Sequence, residues 1–412
     1  MISNMNHILI VGRSFSSLTN YLDEHNCRYT YLKDIRITKS PDKYSGERVV
    51  VDFSDKKNIV EALTKVKKPI DGVMVVYENY ILATAWIAKY LGLPGLPVNS
   101  AVACTDKNIM RQKFATAPIQ ISPDFKLIDN ERDILDFSSK HFFPLIVKPT
   151  NLSKSLLVTK SNDIKELQEN YRKSVSLLAD AYKKYAPNRV PKLLIEEFLE
   201  GSIHSVDAFV DKDGTPMVLE QVVDYQTGYD IGYDDNFHYS RILPSKLSPD
   251  DQKSLRECAA MGIKALGMKS SPAHVEIIMT ANGPRLVEIG ARNGGYRERM
   301  HLIANGIDLI GAALDIAFGN KPSIKATRND SIAVLELFPK TGGYFKKLNN
   351  ESRLRKLQSI NYVSIKAHPG DRIGKSSEGY KATAIIILHN PNKKQFEKDL
   401  AYVNKYVSVT IQ

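Results

Sequence analysis

The fold is indicated most clearly by residues 274–295, which read HVEIIMTANGPRLVEIGARNGG. Apolar and polar residues alternate on both sides of an Asn-Gly pair, and such a pair favours the positive φ of a tight turn. The stretch therefore predicts a β-hairpin with the arms His274–Met279 and Arg285–Ile289. Glu276 and Glu288 fall on opposite arms, where adjacent antiparallel strands can bring their carboxylates close together.

Two neighbouring carboxylates repel each other unless a cation lies between them. Oxygen ligands of this kind suit Mg²⁺, which normally also takes phosphate oxygens from a nucleotide. Arg292 follows Glu288 in a glycine-rich turn. There its guanidinium can stabilise the oxyanion that forms when an amine attacks an acyl phosphate. The alternatives are two exposed carboxylates and an arginine on a flexible loop.

Several upstream residues are candidate nucleotide contacts. Lys107 and Lys148 can each hold a phosphate as a point charge. The loop 150–155 offers hydroxyl and amide groups that can cover phosphates. Residues 196–199, Glu-Glu-Phe-Leu, can form a hinge whose backbone and apolar side chains hold an adenine ring. Each of these segments, taken alone, is equally consistent with an ordinary strand-to-loop boundary.

The order of predicted elements indicates an α/β and α+β protein. Strands and helices alternate over about the first 100 residues, which is typical of a parallel sheet. Long paired strands follow at His204–Val210 and Met217–Val223, and these are typical of an antiparallel layer. From about residue 330 a third unit of strands and a helix is predicted.

Composition excludes several classes of protein. The three cysteines are too scattered for a zinc site or a disulfide framework. We find no apolar run long enough for a membrane span and no signal peptide, and we expect a cytoplasmic protein. The net charge is +11, but the basic residues are dispersed and form no nucleic-acid motif. A surface that attracts anions such as ATP and carboxylates is the preferred interpretation.

Taken together and in order, these motifs resemble the ATP-grasp superfamily over nearly the whole chain. Within it, the sequence is most similar to the L-amino acid ligases, which are carboxylate–amine ligases that make dipeptides. The resemblance implies an N-terminal preATP-grasp (Rossmann-like) domain at 1–104 and an ATP-grasp domain at 105–328. The latter would include a lid at about 115–195, and a small C-terminal α+β domain would occupy 329–412.

The resemblance also implies roles for single residues. ATP contacts are expected from Lys107, Lys148, Ser155, Glu196, Glu197, Phe198, Leu199 and His204. Glu276 and Glu288 would hold Mg²⁺, with Mn²⁺ as an alternative, and Glu288 and Arg292 would be catalytic. Substrate contacts are expected from Glu78, Arg292, Gly294 and Gly295. His238 follows a tyrosine- and glycine-rich segment, 224–233, which can shape a substrate pocket or lie packed on the surface.

Two departures from the family pattern concern the nucleotide site. Residues 150–157 contain no glycine, whereas the phosphate-covering loop of the family is usually glycine-rich. Gly290 stands where many relatives carry an asparagine two residues after the second metal-binding glutamate. Coordination would then rely on two carboxylates and phosphates or recruit Asn293, which leaves the number of magnesium ions open.

The implied activity joins a carboxylate to an amine through an acyl phosphate, releasing ADP and phosphate. The expected substrates are small molecules, most simply amino acids, with no nucleic acid or membrane partner; a homodimer is expected by analogy with relatives. Three alternatives remain open: a ligase for a carrier-bound amine, a ligase for a natural-product intermediate, and a nucleotide-binding protein without catalysis. Arg297 and Arg299 can clamp a substrate carboxylate or lie at a solvated helix start.

Overall fold

The computed structural model describes residues 6–37, 45–152, 156–186 and 189–412. Within these residues, no single helix is long and apolar enough to span a membrane. Two consecutive helices, Arg297–Asn305 and Leu309–Ala317, reach that length and hydrophobicity only when taken together, and a bend of 116° separates them.

The N-terminal unit is a parallel four-stranded sheet in the order β3-β2-β1-β4. Its strands are β1 (His7–Gly12), β2 (Arg28–Asp34), β3 (Glu47–Val51) and β4 (Gly72–Met74). Its helices are α1 (Ser16–Glu24), α2 (Lys56–Thr64) and α3 (Ile81–Leu91). β1 is buried along its whole length because helices cover both faces of the sheet. The predicted parallel α/β unit is therefore confirmed.

A second, antiparallel sheet has the order β5-β8-β6-β7. Two helices, α4 (Val98–Thr105) and α5 (Lys107–Phe114), connect it to the first unit. Its strands are β5 (Phe125–Ile128), β6 (Leu145–Pro149), β7 (Thr159–Ser161) and β8 (Leu193–Glu197). Two helices, α6 (Glu131–Ser138) and α7 (Ile164–Tyr185), pack on this sheet around a separate apolar core.

The largest sheet has eight strands in the order β13-β12-β9-β10-β11-β14-β18-β16. Five of its strands precede residue 291: β9 (Ser202–Val210), β10 (Pro216–Thr227), β11 (His238–Leu243), β12 (Ser271–Thr280) and β13 (Gly283–Gly290). Its helices are α8 (Pro249–Ala265), α9 (Arg297–Asn305) and α10 (Leu309–Ala317). The predicted hairpin is β12–β13, and Gly283 in its turn has a φ of 89°.

The C-terminal segment continues this large sheet instead of building one of its own. β14 (Ser331–Leu337) pairs with β11 along four residue pairs, from Ser240↔Leu335 to Leu243↔Ile332. The remaining elements are β15 (Gly343–Leu348), α11 (Glu351–Leu354), β16 (Ile360–Ile365), β17 (Arg372–Ile373), β18 (Ala384–Asn390), α12 (Lys393–Tyr406) and β19 (Val409–Ile411). β15, β17 and β19 form a small separate sheet. The expected third unit is thus joined to the second through backbone hydrogen bonds.

Candidate active site

The two glutamates of the hairpin face one cavity. Glu276 and Glu288 are direct cross-strand partners, and both are partly buried in the cavity wall. The other face of the hairpin packs on α8 through buried apolar side chains, including Val275, Ile277 and Leu286. Strand alternation therefore directs the carboxylates away from the core, as the sequence predicted.

A buried network of charged residues contacts Glu276 through His274. The imidazole of His274 lies 2.8 Å from Asp207 through Nδ1 and 3.7 Å from Glu276 through Nε2. Arg297 and His301 also approach Asp207, at 3.5 and 3.4 Å. Burial alone would raise the pKa of Glu276, but the contact with His274 outweighs it and holds that pKa well below its ordinary value. Glu276 is therefore ionised at neutral pH.

Lys107 connects Glu288 to the loop that follows β6. Its Nζ lies 3.2 Å from Glu288 and donates a hydrogen bond to the carbonyl of Leu152 at 3.1 Å. Asp106 caps α5 and also accepts a hydrogen bond from Asn151, which ties the start of the loop to the helix. The ammonium group thus lies between the predicted metal ligand and the predicted phosphate-covering loop.

Lys148 and Glu196 form a buried ion pair between β6 and β8. The other oxygen of Glu196 accepts a hydrogen bond from Nε of Arg111 at 3.1 Å. Burial lowers the pKa of Lys148 to about 8, although the charge of Glu196 opposes this effect. All three side chains line the cavity. The carboxylate of Glu196 therefore positions two cations, and its two oxygens are both engaged.

Sequence analysis missed Arg111, which is fully buried. The available signal was its position one helical turn after Lys107, because residues at i and i+4 share a helix face. Its NH2 donates to the carbonyl of Val287, next to Glu288, at 2.9 Å. Arg111 therefore links the second sheet to the β12–β13 hairpin.

All four residues of the predicted hinge, 196–199, line the cavity. The backbone N–H of Glu197 donates to Asp124, and that of Phe198 donates to Pro144. Ile146 and Val158 are apolar residues that line the same cavity. This set of residues provides the apolar walls expected of a site for a flat aromatic base.

One predicted ATP contact, His204, does not line the cavity. His204 is buried on β9, where Nδ1 lies 2.9 Å from Asp224 and Nε2 lies 2.6 Å from Ser202. Its two ring nitrogens are therefore engaged, and it is absent from the described residues that line the cavity. Ser155 lies outside the described residues.

Arg292 forms an ion pair with Glu78, with 2.8 Å between Nε and the carboxylate. Both oxygens of Glu78 are buried, yet neither has a partner with hydrogen-bond geometry. Burial raises the pKa of Glu78, and Arg292 opposes that shift. The pair joins the N-terminal unit to the turn after the β12–β13 hairpin.

The predicted substrate residues Gly294, Gly295 and His238 also line the cavity. A Cβ on Gly294 would lie 2.4 Å from Nδ1 of His274, so this position allows close packing that only glycine permits. Burial lowers the pKa of His238 to about 4, which keeps the imidazole neutral at physiological pH.

The two arginines considered as a carboxylate clamp have other partners. Arg297 is fully buried and donates hydrogen bonds to Tyr225 and Ser205. Its role as a clamp was a wrong expectation, because its guanidinium belongs to the network around Asp207. Arg299 lines the cavity, but its guanidinium lies over the ring of Tyr362.

The arrangement fits a metal–nucleotide site. The cavity has a volume of about 2090 Å³ and contains the two opposed glutamates, the lysines and the hinge. Oxygen donors from Glu276 and Glu288 match the preference of Mg²⁺, and the ionised state of Glu276 favours cation binding. The side-chain amide of Asn293 donates to the carbonyl of Leu309 at 3.1 Å.

Comparisons with known proteins agree with this arrangement. Residues 141–298 match the model of the ATP-grasp domain. The chain is 25% identical to the L-arginine-specific L-amino acid ligase of Bacillus subtilis, over 88% of this chain and 85% of the relative. It is 26% identical to the alanine–anticapsin ligase of Bacillus subtilis (strain 168), over 63% of this chain and 57% of the relative. The aligned part therefore spans less than two thirds of that second enzyme.

The fold agrees along the whole chain. The crystal structure of an L-amino acid ligase from Bacillus licheniformis superposes with a TM-score of 0.84 and 20% identity, covering 100% of both chains. At that identity the likeness concerns the fold. Residues 141–298 therefore match an ATP-grasp domain, and they lie within a fold that the whole chain shares with that ligase.

Proposed function

We propose that this protein is an ATP-dependent carboxylate–amine ligase that forms an amide bond through an acyl phosphate. One observation carries the proposal: Glu276 and Glu288 oppose each other on the hairpin, and Lys107 and Arg292 flank them in one cavity. A protein that only bound adenine would need the hinge but not this set of charges. The proposed domains are those expected from the sequence: 1–104, 105–328 and 329–412.

The cationic residues have distinct proposed tasks. Lys107 and Lys148 bind the phosphates of ATP and attract the charge that develops as the substrate carboxylate attacks the γ-phosphorus. Glu276 and Glu288 would hold Mg²⁺, which would act as a Lewis acid on the phosphates of ATP. Arg292 then stabilises the tetrahedral oxyanion as the amine attacks the acyl phosphate. Phosphate leaves, and the products are ADP, phosphate and an amide.

Amino acids are the proposed substrates, in agreement with the names of the relatives. Glu78 is the proposed acceptor for a substrate N–H group, because its buried Oε1 has no hydrogen-bond partner among the described residues, whereas Oε2 is paired with Arg292. His238 stays neutral and can contact uncharged parts of a substrate. The prediction of a homodimer is a separate proposal, and light scattering of the purified chain tests it.

The test is phosphate release from Mg–ATP with amino acids supplied singly and in pairs. The proposal expects release that requires a carboxylate and an amine together and that is lost in Glu288→Gln. Mass spectrometry should detect the corresponding dipeptide. ATP binding without phosphate release in any mixture would contradict the amino acid ligase and favour the non-catalytic alternative.

A further inference from the structure

Glu298 is a carboxylate in the cavity wall without a cationic partner. It lies in the first turn of α9 and is partly buried. Its hydrogen bond from the side-chain amide of Asn293 is long, at 3.4 Å. In the part of the chain that the structure describes, no lysine, arginine or histidine is paired with it. Unpaired carboxylates are uncommon in such an environment.

The neighbouring carboxylate, Asp308, is in a different situation. One of its oxygens accepts a hydrogen bond from the backbone N–H of Gly311 and caps α10, and the other accepts one from the hydroxyl of Tyr21. Asp308 therefore has structural partners, and its charge adds to the negative potential at Glu298. Of these two acidic groups, Glu298 is the one left to bind a ligand.

Glu298 shares its cavity with apolar and aromatic side chains. They come from α10 and from residues in or just before α1: Phe15, Leu18, Tyr21, Ile310 and Ala313. Asn293, the neighbour of Arg292 in the chain, contacts Glu298 through its side-chain amide. A carboxylate in a cavity with apolar walls suits a side chain with a hydrocarbon stem and a cationic end.

Two arginines that line the cavity have aromatic partners. Arg13 lies over the ring of Tyr77, and Arg299 lies over the ring of Tyr362. Burial, together with the charge of Asp308, raises the pKa of Glu298 to about 7, while the hydrogen bond from Asn293 opposes the shift. A bound cation would favour the ionised carboxylate and remove this penalty.

A glutamate in the first turn of a helix also interacts favourably with the helix dipole. That interaction requires only proximity to the helix N-terminus and is served equally well by an exposed side chain. It does not account for the position of Glu298 in the wall of the cavity. A ligand-binding role accounts for both observations.

We propose that Glu298 binds the cationic side chain of one substrate, so that the enzyme takes a basic amino acid such as arginine or lysine. The inference rests on the proposed function, which places the reacting carboxylate and amine at Arg292 and the two metal-binding glutamates. Glu298 lines the same cavity as Arg292 and is joined to that centre through Asn293, so we assign it to the side-chain end of the substrate. Glu298 is therefore a specificity-determining residue.

The test compares ligands that differ in charge and little in shape. Calorimetric titrations, with Mg²⁺ and the β,γ-imido analogue of ATP present, would measure arginine against citrulline and lysine against norleucine. We expect the cationic member of one pair to bind about 10- to 100-fold more tightly, the range for a hydrogen bond to a charged group. Glu298→Gln should reduce that ratio to near one, whereas the exposed Glu397→Gln should leave it unchanged.

Each outcome tests either the cation site at Glu298 or the ligase activity. Equal affinities in the wild-type pairs, no measurable binding of either basic amino acid, or a preference that survives in Glu298→Gln overturns the inference. The wild-type comparison keeps the test valid if the variant does not fold, and Glu298→Asp provides a second variant that retains the charge. A charge preference without phosphate release in any amino acid mixture would instead refute the ligase activity and leave the cation site standing.

Discussion

Lys148 and Glu196 form a buried ion pair that joins two neighbouring strands of the second sheet. Arg111 binds the second oxygen of the same carboxylate, so two cations are held by one anion beneath the cavity. The pair leaves Lys148 charged at neutral pH but with a pKa close to the physiological range. Its charge state therefore becomes a property that an experiment can change.

The affinity for ATP should fall as pH rises. The pKa of Lys148 is lowered to about 8, so the protein without ATP loses this positive charge above that pH. We expect the KM for ATP to increase between pH 7 and pH 9.5. In Lys148→Arg the guanidinium does not titrate in this range, and the increase should be smaller. Identical pH profiles for the two proteins would contradict the role of Lys148 in binding phosphate.

Removing a metal ligand should abolish phosphate release. Glu276→Gln and Glu288→Gln each replace a carboxylate with a neutral amide, and we expect a loss of about 100-fold or more, with a higher Mg²⁺ requirement. Steady-state kinetics over a Mg²⁺ titration measures both effects. Glu397→Gln, a surface change on α12, is the control. Activity within a few-fold of wild type in both variants would exclude this metal site.

Substitutions at Arg292 and Glu78 should have coupled effects on the free energy of unfolding. Arg292→Met leaves the buried Glu78 without its counter-charge, and we expect a loss of roughly 1–3 kcal/mol in the free energy of unfolding. Arg292→Met should lower the free energy of unfolding by less in a Glu78→Gln background, because that protein has no unpaired carboxylate at position 78. Urea unfolding of the four proteins gives the coupling energy. Additive effects would show that the two side chains do not interact significantly.

Gly294 and Gly295 form a matched pair of positions. A Cβ at Gly294 would lie 2.4 Å from the ring of His274 and 2.6 Å from the side chain of Arg297, whereas one at Gly295 meets nothing within 4 Å. We expect Gly294→Ala to lower the unfolding free energy by about 1–3 kcal/mol, the cost of overpacking. Gly295→Ala should change it little. Thermal or urea unfolding distinguishes the two, and equal effects would contradict the packing argument.

The sequence predicted those features that depend on local pattern. The hairpin followed from strand alternation and an Asn-Gly turn, and the structure places Glu276 opposite Glu288 as that pattern requires. The parallel N-terminal sheet was predicted in the same way. Lys107, Lys148 and the hinge were identified through their order along the chain, and they line one cavity with the hairpin.

Features that depend on long-range packing were missed. Asp207 and His274 are 67 positions apart, and Arg111 and Glu196 are 85 apart, so no local pattern connects them. Arg297 was expected to clamp a substrate carboxylate or to lie at a solvated helix start, and its full burial beside Asp207 contradicts both. His204 and Asp224 meet only because β9 pairs with β10 in that register.

The pairing of β14 with β11 has a consequence for engineering the molecule. A chain truncated near residue 329 would expose the whole edge of β11, and an open edge of this kind is a template for pairing with other chains. Truncation at that boundary should give aggregates instead of a smaller soluble enzyme. Chimeras with relatives should likewise exchange β11 and β14 together, because the two strands share one hydrogen-bond register.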